Sequence, residues 1–554
     1  MGSYRFPRLM FICIGFLVLF FISSCEQSAE KKAGTINTAG QGEKQVTKGG
    51  TYHAPLLNSP ATLDPAYVQD QYGTAVVQQL FDGLVRFDPY LLVLPALAET
   101  WQVEEQGKSY RFTLQKSAHF HNGEQVTAED VIFSLSRLLR VTPSPATLPH
   151  LLKIQGAQAY HDHQTEVVAG LQAIDEHTVL IQLEEPHAPF LTALGMYQAK
   201  IVPKAVVLKS EEEFGRNPVG SGPFRFVSWE PDKRIRLERY SDHFAGEALL
   251  DGVEYKIYPG VEIDQILTDF QNGELDEMIV LGSIRKKLSS QKDLQWFHRP
   301  ALSLMFYGLK VDHPNLNNPE FRRKLSAAID REKLLNEVYG GQFEPAERIL
   351  PPVMPGVSQE SKQSGTGATH VTSSTTTSST LKEKNGDTIS VEIVSGSQSA
   401  YAQAELSFVR QAWAELGIDL TIKYITDWSQ FEKYINSDKV QIFRYAWFAD
   451  MPDPDSFLDP LFASNSPANF MGFKDEKVNR LLLSARGESD PAERTAMYRE
   501  IEALIMESTP IIPLIYPSVD RVYTSRVQGA QPSALGADYM PLHRVWIKND
   551  ASTQ

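Results

Sequence analysis

The chain has 554 residues, of which 42% are hydrophobic and 22% are charged, and its formal net charge is −15. This composition is typical of a large soluble globular protein with several domains and a core that needs no disulfides. The negative balance argues against a protein that binds phosphate backbones, which requires clustered Lys and Arg, so we expect no nucleic-acid partner.

Residues 1–24 have the pattern of an export signal. Arg5 and Arg8 precede an apolar run from Leu9 to Ile22, and two small residues follow it. The run is shorter than the roughly 20 residues that a membrane-spanning helix needs. A simple transmembrane anchor is therefore the weaker interpretation, and we expect an exported protein of the cell envelope.

The signal ends in Ile22-Ser23-Ser24-Cys25, which resembles a bacterial lipobox, where the Cys thiol is acylated and becomes the new N-terminus. The only other cysteine, Cys13, lies within the signal, so the exported body would contain no further thiol. This inventory favours Cys25 as a lipid attachment site that holds the protein on a membrane. The alternative is a chance cysteine beside an ordinary cleavage site.

Two polar segments are predicted to lack packed structure. Residues 25–48 have no apolar periodicity and resemble a flexible tether, so we expect the folded body to begin near Gly49. Ser358 to Thr380 is rich in Ser and Thr and is predicted to be a disordered surface insertion, 358–380. A modified or partner-binding stalk is the alternative for this insertion.

Alternating apolar residues predict two half-buried strands. Tyr110, Phe112 and Leu114 alternate with polar residues in the first, as do Ile235 and Leu237 in the second.

Capping signals predict helices at three places. Thr127 to Asp130 resembles a capping box before an apolar helical face. Asn318 and Pro319 have the residue types of an N-cap and a first turn, and Gly340 with Gly341 would end the next helix.

No catalytic motif is recognisable. The sequence has no Gly-x-Ser-x-Gly, no His-Glu-x-x-His, no Walker loop and no Gly-x-Gly-x-x-Gly, so we expect neither an enzyme nor a cofactor. His119 with His121 and His161 with His163 have a spacing that would share a metal ion on a strand. No further ligand accompanies either pair, and we expect no metal site.

The most suggestive segment is an apolar strand followed by a turn, Phe443 to Asp455. Arg444 lies inside the strand and Asp450 follows it, with Trp447 between them. Buried charges are unfavourable unless they are paired. The residues alone leave two interpretations open, an internal ion pair or turn and a site that binds a charged ligand.

Three motifs in order resemble the family 5 extracellular solute-binding proteins, which are the peptide, oligopeptide and nickel-chelate receptors of bacterial ABC importers. They are Asn122-Gly-Glu-Gln-Val-Thr-Ala-Glu-Asp130, Asn217-Pro-Val-Gly-Ser-Gly-Pro-Phe224 and Asp450-Met-Pro-Asp-Pro-Asp455. The resemblance runs from about Gly49 to Trp546, and the Ser/Thr-rich insertion interrupts it.

The resemblance implies an α/β fold of the type II periplasmic-binding-protein kind, with two lobes joined by a hinge and an extra α/β domain. Ligand would be enclosed by hinge closure. The implied segments are 49–83, 219–297 and 508–548 for lobe I, 84–218 for the extra domain, and 298–507 for lobe II.

The resemblance also implies ligand-binding residues. Asp450 would pair with the α-ammonium group of a peptide, Trp447 and Trp428 would line side-chain pockets, and Arg444 would orient Asp450 or meet a ligand carboxylate. An extended ligand would pair with backbone near Ser303 to Tyr307 and near Tyr52 to Leu56.

The implied function is a monomeric, lipid-anchored substrate-binding protein that captures short peptides and delivers them to ABC permease subunits. Members of one fold bind different solutes, so a receptor for a metal chelate or another small solute is an alternative. A peptide-sensing signalling lipoprotein and a lipoprotein peptidase are the others.

Overall fold

The structure is a computed structural model that describes residues 46–260, 263–280, 284–356, 389–536 and 539–548. The predicted signal peptide, Cys25, nearly all of the tether and the Ser/Thr-rich insertion 358–380 lie outside the described residues. The described body, from Thr47 onward, forms one compact unit. Within this described part, no helix combines the length and the apolar character needed to cross a membrane.

The described residues form strands and α-helices in mixed order. The strands are β1 Thr51–Leu56, β2 Val85–Phe87, β3 Val93–Pro95, β4 Ala98–Glu104, β5 Ser109–Leu114, β6 Leu171–Asp175, β7 Thr178–Gln182, β8 Phe224–Glu230, β9 Arg234–Arg239, β10 Gly252–Ile257, β11 Glu277–Ile279, β12 Leu294–Pro300, β13 Ser303–Leu309, β14 Glu344–Pro345, β15 Ile389–Ser395, β16 Ile418–Tyr424, β17 Ile442–Phe448, β18 Ile511–Tyr516, β19 Ser518–Thr524, β20 Val527–Gln528 and β21 Trp546–Ile547. The helices are α1 Gln71–Leu80, α2 Ala128–Leu138, α3 Leu148–Leu151, α4 Ala157–His161, α5 Pro189–Ala193, α6 Lys204–Lys209, α7 Glu211–Phe214, α8 Ile263–Gln271, α9 Ile284–Leu288, α10 Pro319–Ala327, α11 Arg331–Tyr339, α12 Ala400–Ala414, α13 Trp428–Ile435, α14 Asp455–Phe462, α15 Glu476–Gly487 and α16 Pro491–Ser508.

The elements predicted from sequence are confirmed. Tyr110, Phe112 and Leu114 are the buried residues of one face of β5. Thr127 caps α2 and its backbone N–H donates to Asp130 Oδ2 at 3.0 Å, which is half of the predicted capping box. Asn318 accepts from the Glu320 N–H at the start of α10, and Gly340 ends α11 in the left-handed conformation that glycine favours.

Four larger sheets organise the body. The first has the order β1-β10-β9-β8, the second β4-β5-β7-β6, the third β11-β19-β12 and the fourth β14-β18-β13-β17-β15-β16. Hydrophobic clusters cover both faces of the six-stranded sheet, one formed around Phe306 and Phe443 and one around Leu309 and Trp413. Strands covered on both faces need near-continuous apolar sequence, and all six residues of β18 are buried.

The chain crosses between the three-stranded and the six-stranded sheets twice, once in each direction and at adjacent positions. β12 pairs with β19 as far as Pro300 and Ser518, and β13 then pairs with β18 beyond them. The Ala301 N–H donates to the Pro517 carbonyl at 2.7 Å and joins the two passages. The sequence-based boundary at residue 508 assigned β18 to lobe I, whereas its pairing lies with strands of the predicted lobe II. The domain division itself stays a prediction.

Arg322 ties α10 to the end of α16, directly before β18. Its side chain is 2% exposed and donates to the carbonyls of Ser508, Thr509 and Leu316. Ser508 is the last residue of α16, where unpaired carbonyls attract a cation.

We expect Arg322→Met to lower the free energy of unfolding by roughly 2–4 kcal/mol, because buried carbonyls lose a charged donor. The urea unfolding midpoint followed by intrinsic fluorescence measures the change. Arg323→Met is the matched control, since the neighbouring Arg323 is exposed and bonds only the Glu507 carbonyl among the described residues. Equal shifts for both variants would contradict the role of Arg322.

Candidate ligand-binding site

The predicted site residues of strand β17 lie on two different sides of the six-stranded sheet. The alternation of β17 places Arg444 on one face and Tyr445 with Trp447 on the other. Tyr445 lies in the cluster around Phe443, and Trp447 packs against that cluster. Arg444 stands directly across from Tyr307 of β13.

Arg444 is paired with a glutamate that the sequence did not suggest. Its Nε and Nη2 donate to Glu405 Oε1 and Oε2 of α12 at 2.9 and 3.0 Å. The same carboxylate accepts from the hydroxyls of Tyr307, at 2.7 Å, and Tyr339. Glu405 is 1% exposed, so four donors satisfy a buried charge.

The pKa values follow from this arrangement. Burial lowers the pKa of Arg444, but Glu405, Tyr339 and Tyr307 together raise it by more, so the net shift is upward. Burial and then Glu405 both raise the pKa of Tyr307 far above its ordinary value. The guanidinium therefore stays charged and the phenol stays protonated over the whole physiological range.

The expectation that Arg444 orients Asp450 is wrong, because Glu405 takes its guanidinium instead. Tyr307 is fully buried with its hydroxyl on Glu405. β13 is flanked by β17 and β18 over Met305 to Gly308, so the expected pairing of a ligand with that stretch is wrong as well. Ser303 is also buried, and its Oγ has no hydrogen-bond partner among the described residues.

The other predicted backbone segment lies at a sheet edge. β1 pairs with β10 on one side only. On its other side the His53 N–H donates to Asp276 Oδ2 at 2.9 Å, and the Asp276 N–H donates back to the His53 carbonyl. Part of this edge is therefore already occupied.

The turn after β17 contains three aspartates in different electrostatic situations. Asp453 is held by two hydrogen bonds of 2.8 Å from Arg494, and Asp455 accepts from Arg486 at 3.0 Å. Burial raises the pKa of Asp455 to about 6, although Arg486 opposes the shift. Asp450 forms no hydrogen bond or ion pair through its carboxylate with any described residue.

Asp450 lines a cavity of about 300 Å³ between residues 146–196 and residues 450–486. Solvent reaches the carboxylate, yet the surrounding protein desolvates it enough to raise its pKa. On the opposite wall His150 and His187 share a hydrogen bond of 2.8 Å, and burial lowers their pKa values to about 4 and about 3. Both imidazoles are therefore neutral at pH 7. Lys153 and Arg486 also line the cavity, but each forms its ion pairs with other carboxylates and not with Asp450.

The two tryptophans lie on the Asp450 side of β17. Trp447 Nε1 donates to the Ser456 carbonyl at 2.7 Å, and Ser456 lines the cavity. Trp428 is 56% exposed at the start of α13, with its ring 5.8 Å from that of Tyr445. Among the described residues, Asp450 is the one predicted site residue that lines the cavity itself.

The histidine pairs are built into local structure. His121 Nε2 bonds the Gly222 carbonyl at 3.0 Å, and His119 Nδ1 bonds the Ser117 carbonyl at 2.9 Å. His161 ends helix α4, so the strand geometry considered for His161 and His163 does not occur. Within the described ranges, no cluster of three or more His, Cys, Asp or Glu residues could hold a metal ion.

The model for "Bacterial extracellular solute-binding proteins, family 5 Middle" matches residues 93–469. The chain belongs to this family. The predicted family and the predicted type II α/β fold are thus confirmed.

Relatives of this family 5 protein bind different solutes by name. It is 28% identical to Probable di/tripeptide-binding protein 5 of Pseudomonas aeruginosa, with 82% of this chain and 88% of that protein covered. It is 25% identical to Heme-binding protein A of Haemophilus influenzae, with 93% and 95% covered.

Two solved structures share the fold. The unliganded open form of the periplasmic murein tripeptide-binding protein MppA is 22% identical, with 90% of this chain and 97% of that chain covered and a TM-score of 0.77. The Helicobacter pylori protein DppA in complex with peptide STSA is 23% identical, with 91% and 99% covered and a TM-score of 0.65.

The Glu405 network gives a stability prediction. We expect Glu405→Gln to lower the free energy of unfolding by about 3–5 kcal/mol, because removing one partner of a buried ion pair leaves the other charge uncompensated. Chemical denaturation at pH 7 measures the change.

Glu415→Gln, an exposed change at the end of the same helix, is the control and should have little effect. If the two variants unfold at the same denaturant concentration, the buried pair does not stabilise this sheet as described.

Proposed function

We propose that this family 5 protein is a lipid-anchored receptor that captures short peptides at Asp450 and delivers them to an ABC importer. The observation that carries the proposal is the state of the Asp450 carboxylate. It lines a cavity, the surrounding protein partly desolvates it although solvent reaches it, and it forms no ion pair with any described residue.

A partly desolvated carboxylate without a partner is unfavourable in the ligand-free protein, and an ammonium group entering the cavity would relieve it. A peptide carries such a group at its N-terminus, and the cavity can hold this end in one orientation. Trp447 and Trp428 would form apolar walls for peptide side chains. Arg444 has a structural role instead of a ligand-binding one. Its ion pair with Glu405 fixes β17 to helix α12.

Hinge closure is supported by the connection between the sheets. Two antiparallel passages, at Pro300 to Ser303 and at Tyr516 to Ser518, join the six-stranded sheet to the three-stranded sheet. Rotation about two short adjacent segments would change the relation of the sheets while each keeps its hydrogen bonds.

The Asp450 assignment is tested by removing either charge of the proposed pair. We expect wild-type protein to bind Ala-Ala-Ala at least about 30-fold more tightly than N-acetyl-Ala-Ala-Ala, because truncating a desolvated charge pair costs 2–5 kcal/mol. Asp450→Asn should abolish this preference in calorimetric titrations. Asp438→Asn, an exposed change before the other end of β17, should retain it.

The pH dependence has a definite sign. Because the pKa of Asp450 is raised, the carboxyl gains its proton at a higher pH than an ordinary aspartate, and affinity for Ala-Ala-Ala should fall as the pH is lowered through that range. Asp450→Asn should lack this decline. Equal affinity for the free and acetylated peptides would refute the amine assignment, and binding of haemin with no response to peptides would favour a tetrapyrrole ligand.

The lipid anchor is tested separately. We expect the full-length protein to incorporate radiolabelled palmitate in a bacterial host and to partition into the detergent phase of Triton X-114. Cys25→Ser should abolish both properties, whereas Cys13→Ser, which changes the cysteine inside the signal, should leave them intact. Palmitate labelling of Cys25→Ser would contradict acylation at this residue.

A further inference from the structure

A second recess lies close to the Asp450 cavity and carries the opposite charge. It has a volume of about 70 Å³, and its lining includes Arg86, Lys200 and Arg544. About 10–15 Å³ suffices for one water molecule. The recess therefore has room for a small polar group and accompanying water.

None of these three cations forms a side-chain hydrogen bond or salt bridge in the part of the chain that the structure describes, although Asp82 acts on Lys200 and Arg86 as a counter-charge. Lys200 is only 5% exposed, and its ammonium forms no hydrogen bond or ion pair there. Arg86 Nε is buried without an acceptor. Burial lowers the pKa of Lys200 to about 8, with Asp82 opposing and Arg86 reinforcing the shift, so most Lys200 side chains still carry a charge at pH 7.

The two carboxylates of the recess are already engaged. Asp82 Oδ2 lies 3.0 Å from His243 Nε2. Asp88 accepts the backbone N–H groups of Tyr90 and Leu92 at 2.8 and 2.9 Å. Burial raises the pKa of Asp82, but His243, Lys200 and Arg86 together lower it by more, so this carboxylate is shared among several cations. Three cations face two carboxylates in the recess, and buried positive charge in excess favours an anion from outside.

The Asp450 cavity and the basic recess, which Lys200 and Arg86 line, meet at one short segment of chain, Gly195 to Tyr197. Gly195 lines the basic recess and Met196 lines the Asp450 cavity. The Tyr197 ring lies 6.2 Å from that of Tyr539, another residue of the basic recess. Burial and then Asp450 raise the pKa of Tyr197, which places Asp450 within electrostatic range of this segment.

We propose that the basic recess at Lys200 and Arg86 receives a carboxylate of the same ligand whose ammonium group meets Asp450. The substrate class is then a zwitterionic peptide, and the carboxylate is either its C-terminus or an acidic side chain. This inference rests on the proposed peptide function, although the anion recess can be tested without a peptide.

The peptide test compares three ligands on wild-type protein and Lys200→Met. Ala-Ala-Ala presents a C-terminal carboxylate, Ala-Ala-Ala-amide presents none, and Ala-Glu-Ala-amide presents a side-chain carboxylate. We expect wild type to bind at least one carboxylate-bearing peptide 10-fold or more above Ala-Ala-Ala-amide in calorimetry. The peptide that shows the preference identifies the source of the carboxylate.

Lys200→Met should reduce that preference to threefold or less, and Lys209→Met, an exposed change at the end of α6, should retain it. Arg86→Met is the second variant and should weaken the same preference if Lys200→Met does not fold. A preference that survives both substitutions, or none in wild type, overturns the assignment of a ligand carboxylate to this recess.

A measurement with simple anions separates this inference from the peptide proposal. We expect acetate or inorganic phosphate, at constant ionic strength against chloride, to raise the melting temperature of wild type and Lys209→Met but not of Lys200→Met. If peptides do not bind while this pattern appears, the peptide proposal fails and the anion recess stands. If the anions affect wild type and Lys200→Met equally, the recess is not an anion site.

The stability of the ligand-free variants gives a further readout. An unpaired buried ammonium destabilises the protein that contains it, so Lys200→Met should melt at or above the temperature of wild type in chloride buffer. A clearly lower melting temperature would mean that Lys200 stabilises the fold through Asp82, and would contradict its assignment as a cation left free for a ligand.

Discussion

The buried carboxylate of Glu405 is the interaction on which the arrangement around β17 depends. It accepts from Arg444 of β17, Tyr307 of β13 and Tyr339 of α11, while Glu405 itself belongs to α12. Two strands and two helices are therefore fixed relative to one charge. Nε and Nη2 of Arg444 both donate to Glu405, so a ligand could take these two donors only by breaking the ion pair.

Because the Arg444 face of β17 is occupied by the Glu405 network, the candidate site is confined to the other face of the strand and to the turn that follows. Arg494 takes Asp453 and Arg486 takes Asp455, and the same two arginines come from α16 and α15. These pairs hold the turn in place without reaching Asp450. A rigid turn with one uncommitted carboxylate is what an orienting site for a cation requires, because the charge is positioned before the ligand arrives.

Local signals in the sequence predicted local structure well. The capping residues Thr127 and Asn318 and the terminator Gly340 each act within four residues of the helix end they define, so short patterns suffice to predict them. The family and its fold were also predictable, because the motifs that indicated them are contiguous.

Partners that are distant in sequence were not predictable in the same way. Arg444 and Asp450 are separated by six residues, so an uninterrupted strand would place them on one face, but β17 ends at Phe448. One feature of the sequence could have indicated that Glu405 is buried. It lies on the same stripe of α12 as Ala402, Leu406 and Val409. A charged residue in an apolar stripe implies a buried partner, although nothing in the sequence identifies Arg444 as that partner.

The uncommitted charges also explain why a binding protein would keep unfavourable groups in its ligand-free state. The Asp450 carboxylate is partly desolvated and the Lys200 ammonium is buried, and neither forms a salt bridge with a described residue. They lie in the two cavities that meet at Gly195 to Tyr197. If the Asp450 carboxylate or the Lys200 ammonium were paired inside the protein, its charge would attract a ligand less strongly. A zwitterion would satisfy both at once, so binding would recover free energy that folding left unused. A ligand with one charge would recover only part of it, which makes charge pattern, rather than side-chain shape, the first criterion of selection.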